Sequence, residues 1–208
     1  MNSTRARFVY YKDFGKITQE TFLNESEKKK AQKLSVTENA SMYIENKGGG
    51  KFELHELPAM AQVSALNGMQ VLDANQDGYL DIIYIGNNFG NEVAMGRYDA
   101  SNGGVLLGSP KGFQYMPNSG ILVPGDAKSF VGIQVGNELA YVALQNRGAM
   151  KVFKPVAPLV KAAVPAGKDF SYTFKGRKQK IGWTYGASYL SQSNQAQIFI
   201  PAGAKLAQ

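Results

Sequence analysis

Nine residues constrain this chain more than any other stretch: Asp73-Ala74-Asn75-Gln76-Asp77-Gly78-Tyr79-Leu80-Asp81. Side-chain oxygens fall at every second position from 73 to 77, and again at 81. Gly78 can adopt the positive-φ conformation that turns such a stretch back on itself. Asp73, Asn75, Asp77 and Asp81 then point at one centre, with the Tyr79 carbonyl as a fifth donor. Three carboxylates this close repel one another unless a cation lies between them. Every donor is a hard oxygen, which suits Ca2+ better than the strictly octahedral Mg2+. The expected ion is structural, because all five protein donors are used in tying a turn together. The competing reading is an ordinary Asx- and Gly-rich turn without metal.

The loop is not an EF-hand. That motif needs a bidentate Glu at its twelfth position and flanking helices. Here the twelfth residue is Tyr84, and residues 82–85, Ile-Ile-Tyr-Ile, read as a buried strand.

The rest of the chain fits an all-β expectation. It has 208 residues, enough for one good core or a core and a small satellite. Aromatics make up 11% and glycine occurs 23 times, a texture common in all-β proteins. Strand-like runs at 41–44, 51–54, 68–72, 82–85, 92–98, 105–107, 112–115, 121–123, 129–135, 139–144 and 150–153 alternate with Gly and Asn turns. That spacing suggests a sandwich or a propeller. Gly48-Gly49-Gly50 reads as a hairpin turn, since no Lys-Ser/Thr pair follows to make a phosphate loop. Upstream, residues 7–11 read as a strand and 18–34 as one helix, acidic early and basic late. Beyond Pro155 and Pro158, Phe170, Tyr172 and Phe174 alternate on one strand and Ile181, Trp183 and Tyr185 on the next; a further run, 198–200, ends at Pro201. The expected division is therefore 1–39, a strand and helix belonging to a preceding blade or linker; 40–155, the β blades; and 156–208, a small β module.

Chemistry is excluded more readily than assigned. The absence of cysteine rules out disulfides, thiolate metal sites and a Cys nucleophile on this chain. His55 is the sole histidine, so zinc sites built from His and Cys fail on the count, and no Gly-x-Ser-x-Gly elbow supports a Ser-His-Asp arrangement. His55 is expected to face solvent on a strand. Carboxylates outside the loop show no spacing that suggests a catalytic pair. Asp99 and Asp126 read as Asx caps on tight turns rather than ligand contacts. Phe89, Tyr115 and Tyr189 could line a sugar or peptide site, or pack in the core. The net charge of +7 comes largely from Lys28-Lys29-Lys30 and the basic run 175–180. Aromatics are not interleaved with either cluster as base stacking would need, so the charge reads as solvated surface and no nucleic-acid partner is expected. There is no run of 18 apolar residues for a transmembrane segment, and no apolar stretch behind the basic first residues to act as a secretory signal.

Several stretches carry a family resemblance. Residues 45–52, Glu-Asn-Lys-Gly-Gly-Gly-Lys-Phe, are followed by Leu57-Pro58, Ala61-Gln62, the 73–81 loop, Gly86-Asn87-Asn88-Phe89-Gly90 and Gly96-Arg97-Tyr98-Asp99-Ala100-Ser101. Leu106-Leu107-Gly108, Lys111-Gly112-Phe113 and Gly125-Asp126-Ala127 continue the series. Together they resemble the FG-GAP/VCBS repeats of integrin-like β-propellers. The stretch 186–193, Gly-Ala-Ser-Tyr-Leu-Ser-Gln-Ser, is similar to the ASPIC/UnbV module that ends many such proteins. The resemblance implies propeller-type blades, an extracytoplasmic, cell-surface or secreted location, an interaction role with a protein or glycan partner, and no established catalysis. The sequence departs from that pattern at Asp13-Phe14-Gly15-Lys16, where a second loop of this type would stand: it lacks alternating oxygens, so no metal is expected there. The expected function is a non-enzymatic calcium-stabilised binding or scaffold module; the alternative is a carbohydrate-active hydrolase whose carboxylates meet only in the fold.

A blade takes about 40–45 residues and a ring at least about four blades, whereas 40–155 supplies two or three. The expectation is a partial propeller: the C-terminal portion of a larger one, or one completed by a companion chain. Static light scattering on the isolated chain should then report self-association or aggregation through open strand edges; a stable, well-folded monomer counts against it.

Overall fold

The structure is a computed structural model that describes residues 7–136, 138–162, 169–182 and 198–207. It divides into two compact units, Met1–Asn39 and Ala40–Gln208. Trp183, Tyr185, Tyr189 and the 186–193 stretch lie outside the described residues.

Among its described residues the first unit holds the short helices α1 (Tyr11–Phe14), α2 (Gln19–Phe22) and α3 (Glu25–Lys30). The strand expected at 7–11 is not formed. No partner strand among the described residues of this unit satisfies its backbone; instead the Tyr10 carbonyl accepts the Asp13 and Phe14 N–H groups and begins α1. Phe8 packs against Phe14 and Phe22, with ring centroids 6.1 and 6.4 Å apart. The single helix expected over 18–34 breaks at Asn24. Its side chain accepts the Glu27 N–H at 2.9 Å, and the Glu27 carboxylate accepts the Asn24 N–H at 2.8 Å. This reciprocal capping box starts a new helix where the apolar stripe is too weak to hold the old one.

The second unit is all-β. Its described strands form small antiparallel sheets, none of them closed. A hairpin pairs β1 (Met42–Gly48) with β2 (Lys51–Glu56). The turn is the glycine run, with φ of 82°, 59° and 76° at Gly48, Gly49 and Gly50. A four-stranded meander follows: β3 (Leu66–Leu72), β4 (Asp81–Gly86), β5 (Gly104–Ser109) and β6 (Gly112–Met116), paired in chain order as in a propeller blade. A three-stranded meander joins β7 (Ala127–Val135), β8 (Glu138–Gln145) and β9 (Lys151–Phe153). Then β10 (Leu159–Ala162) pairs with β13 (Ile198–Pro201), while β11 (Phe170–Phe174) is flanked by β12 (Arg177–Ile181) and β14 (Lys205–Ala207). The described helices include none long and apolar enough to cross a membrane.

Two expected strands are turns instead. Residues 92–98 contribute only an isolated bridge between Asn88 and Tyr98. Residues 121–123 run without a ladder, their Val123 N–H bonded to the Asn102 carbonyl at 2.8 Å. In both places the backbone pairing stops at these single contacts, and β propensity alone does not extend it into a ladder.

The side-chain period of two explains the core. On β4 and β5, Ile83, Ile85 and Val105 face Phe130, Tyr141 and Ala143 of β7–β8, with Phe199 of β13 in the same cluster. Tyr84 and Leu106 face the other way, onto Leu57 and Ala61. β4 is thus covered on both faces, which is why its residues 82–85 are apolar without alternation. A third cluster gathers Tyr172, Phe170, Ile198 and Ile200 with Leu80 from the 73–81 loop packed against it. The C-terminal strands and the blade therefore share side chains.

β5 passes so close to the loop that a Cβ on Gly108 would stand 2.1 Å from the Leu80 carbonyl oxygen. Gly108→Ala must push β5 away, at a cost of about 3 kcal/mol. Denaturant unfolding checks this; an unchanged midpoint would show that the strand yields freely.

Candidate metal centre

The 73–81 loop is the connection of the β3–β4 hairpin, closing on the Leu72–Asp81 pair. Two positive-φ residues shape it, Gln76 at 59° and Gly78 at 92°. Asp73 and Asp81 are both fully buried, at 0% exposure, while Asn75 and Asp77 lie at the surface. The Asp73 carboxylate accepts the N–H groups of Asp77 and Gly78 at 3.0 and 2.8 Å. Asp81 accepts that of Ala74 on one oxygen and that of Gly108 on the other, each at 2.8 Å. Asp77 accepts the Tyr79 N–H at 2.8 Å and the Asn75 amide at 2.9 Å.

The C-terminal strands hold the loop from outside. Arg177 lies 3.9 Å from the centre of the Tyr79 ring and donates to its hydroxyl. Gln179 donates to the Gly78 carbonyl, and Gln76 donates to the Pro158 carbonyl at 2.8 Å. A Cβ at Gly78 would meet Arg177 Cδ at 2.9 Å. Glycine is needed there for space as well as for φ.

Neither buried carboxylate has an ion-pair partner among the described residues. Burial pushes both the Asp73 and the Asp81 carboxyl above the ordinary carboxylate range, against the pull of their N–H donors. The same negative field reaches the core: burial first, then Asp73 and Asp81, push the Tyr172 hydroxyl up to about 12. The donor set suits a hard divalent cation. The carboxylate oxygens hold one or two N–H groups each and retain lone-pair capacity, and the buried negative charge lacks a counter-charge. Yet Asp73, Asp77 and Asp81 are not drawn within 4.8 Å of one another. Among the described residues, the trio that does meet that closely is Glu45, Glu53 and His55.

That trio escaped the sequence reading. The signal was partial: Glu53 and His55 alternate on β2 and so share a face, but Glu45 joins them only through the β1–β2 register, which no local pattern displays. His55 itself is half-buried rather than solvent-facing, stacked on Tyr43. Of the aromatics weighed for ligand stacking, Tyr115 packs against the cluster around Tyr84, and Phe89 lies beneath Arg97 at 4.9 Å.

Asp126 is a structural tie. It accepts the Phe89 N–H at 3.3 Å, the Asn146 amide at 3.1 Å and the Lys128 ammonium at 2.7 Å. Next to it the buried Asn87 side chain bonds the backbone of Ser101, Pro124 and Gly125. Together they stitch the segment after β4 to the start of β7.

Comparison with known proteins matches no protein-family model, no curated protein and no solved structure.

Burial alone would raise the Asp126 carboxyl, but Lys128, Asn146 and the Phe89 N–H outweigh it and hold it below the ordinary value. Its stabilising contribution is therefore present above the unfolded-state pKa of about 3.9 and is lost as pH falls through the lower folded value. Asp126→Asn is expected to lose about 2 kcal/mol at neutral pH. Urea midpoints measured against pH should show the gap to wild type closing below about pH 4; a gap independent of pH would assign the loss to packing.

Proposed function

We propose that this chain is a non-enzymatic, calcium-stabilised β scaffold that works outside the cytoplasm and engages a protein or glycan partner within a larger propeller or multi-protein assembly. The observation that carries the proposal is the 73–81 loop, whose two fully buried carboxylates have no basic partner among the described residues and stand where the blade meets the C-terminal strands. In water-poor surroundings such a pair needs a cation or must take up protons. Asp73, Asn75, Asp77 and Asp81, with the Tyr79 carbonyl, would hold the ion. Calcium would draw the surface Asp77 toward the buried pair and lock a turn that three sheets lean on.

The resemblance to FG-GAP/VCBS repeats and to the ASPIC/UnbV module supports the location and the interaction role. A calcium loop outside the cytoplasm can be weak, at about 10⁻⁴ to 10⁻³ M, and still be filled. A partner or companion chain is supported by uncovered apolar side chains on one face of the β1–β2 hairpin: Ile44 at 64%, Phe52 at 60% and Leu54 at 56% exposure. A solvated hairpin face would carry polar residues at those positions.

Thermal unfolding of the full chain with calcium, magnesium or chelator tests the reading, on wild type and on Asp77→Ala. Calcium at about 100 times its dissociation constant adds about 2.7 kcal/mol, and each kcal/mol moves the midpoint by about 2–4 °C. The expected result is a calcium-specific rise that Asp77→Ala lacks. No response to millimolar calcium would make the loop a bare turn and remove the proposal's physical basis.

A further inference from the structure

The face of the β1–β2 hairpin opposite Ile44 and Leu54 presents a different chemistry. Antiparallel pairing sets Glu45 directly across from Glu53, and Tyr43 across from His55. Two like charges facing each other on a sheet repel. Part of that repulsion is relieved by Lys47. A register shift between Asn46 and Gly48 frees it from the ladder, and its ammonium reaches Glu45 Oε1 at 2.9 Å and Glu53 Oε2 at 3.2 Å. Lys47 holds the Glu45 carboxyl below its ordinary value.

The other two oxygens point elsewhere. Glu45 Oε2 lies 3.3 Å from His55 Nε2, and Glu53 Oε1 lies 3.6 Å from it. His55 Nε2 is screened from solvent and makes no hydrogen bond of good geometry. A protonated Nε2 pairs with both carboxylates at these distances. An unprotonated Nε2 would set its lone pair against two carboxylate oxygens.

A metal ion gives the unprotonated nitrogen a partner and neutralises the two carboxylates facing it. Around zinc, bonds of about 2.1 Å in tetrahedral array put neighbouring donor atoms about 3.4 Å apart, and the two distances to Nε2 bracket that value. Two carboxylate oxygens and one imidazole nitrogen form a borderline donor set that suits zinc and not calcium. The imidazole is held in place from behind: the Tyr43 ring stacks on it at 4.6 Å and 17°, and Phe113 of β6 braces Tyr43 edge-on at 5.1 Å. Fixing a ligand ring in this way is what an outer shell does in metal sites. The Glu45, Glu53 and His55 side chains keep 45%, 53% and 30% of their surface exposed, so the front of the site is open to solvent.

We propose that Glu45 Oε2, Glu53 Oε1 and His55 Nε2 form an exchangeable divalent transition-metal site of the zinc class. Three ligands come from the chain; the fourth position is left to water or to a donor from a partner. Lys47 stays on the outer oxygens of both carboxylates and balances their remaining charge. Bound metal bridges β1 to β2, a two-stranded hairpin of the kind that has little stability alone. This site is separate from the calcium loop and does not depend on it.

The chain has a single histidine, so every imidazole proton signal in its NMR spectrum belongs to His55. The test titrates zinc into the untagged full chain, with millimolar calcium present so that the 73–81 loop does not compete. The expected result is a saturable shift of the His55 signals at one zinc per chain. Calorimetry should show His55→Gln and Glu53→Gln each weakening binding by about tenfold or more, and Glu138→Gln, at an exposed carboxylate on β8, leaving it unchanged. His55 signals that stay put up to about 1 mM zinc would overturn the site. So would zinc binding that survives His55→Gln, or that ignores Glu53→Gln. The wild-type titration stands even if a variant fails to fold, and circular dichroism checks that each variant has folded.

Discussion

Two carboxylates removed from water set the conditions for the rest of this molecule. Asp73 and Asp81 are fully buried at the two ends of one hairpin connection, and each is kept there by backbone N–H groups rather than by a basic side chain. One of those donors, Gly108, belongs to β5, so the loop closes only when the neighbouring strand is in place. Burial of charge is costly unless it is compensated. Around this loop, loop conformation and strand order become parts of a single electrostatic problem.

The same loop links the blade to the C-terminal strands. Leu80 enters the cluster around Tyr172, Gly78 accepts from Gln179, and Tyr79 lies under Arg177. From the other side, Phe199 of β13 enters the cluster built on Phe130 and Ile85. Side chains are thus exchanged in both directions, which makes the second unit one cooperative body in which a change at the loop is felt in the strands beyond residue 156. Asp126 and Asn87 do comparable work at the other end of β4, where polar side chains replace a missing ladder by bonding backbone groups of several segments.

The β1–β2 hairpin is a contrast. One face carries exposed Ile44, Phe52 and Leu54, and the other an ordered array of Tyr43, Glu45, Lys47, Glu53 and His55. The hairpin thus sets an apolar face back to back with a charged one. They fall on the same element because a strand's side chains alternate.

Much of the β architecture was legible in the residues. Alternation located β2 and β11, strand-like runs bounded by Gly and Asn turns located β5, β6, β7 and β8, and the glycine run located the first hairpin turn, because side-chain pattern and positive φ are local properties. The 73–81 loop was readable as a loop feeding a strand for the same reason: Gly78 and Asp81 act within a few residues of each other. Other features could not be read this way. Residues 92–98 and 121–123 have strand-forming side chains but make only single backbone contacts, and residues 7–11 form no strand and lead into α1. The break at Asn24 was written in a capping box that a weak apolar stripe obscured. Which carboxylates would be buried, that Arg177 and Gln179 would brace the loop, and that Glu45 would meet His55 were decided by tertiary structure alone. Each depends on strand register or on sheet packing between residues far apart in the chain, and side-chain chemistry at one position carries no record of the distant residue that will face it.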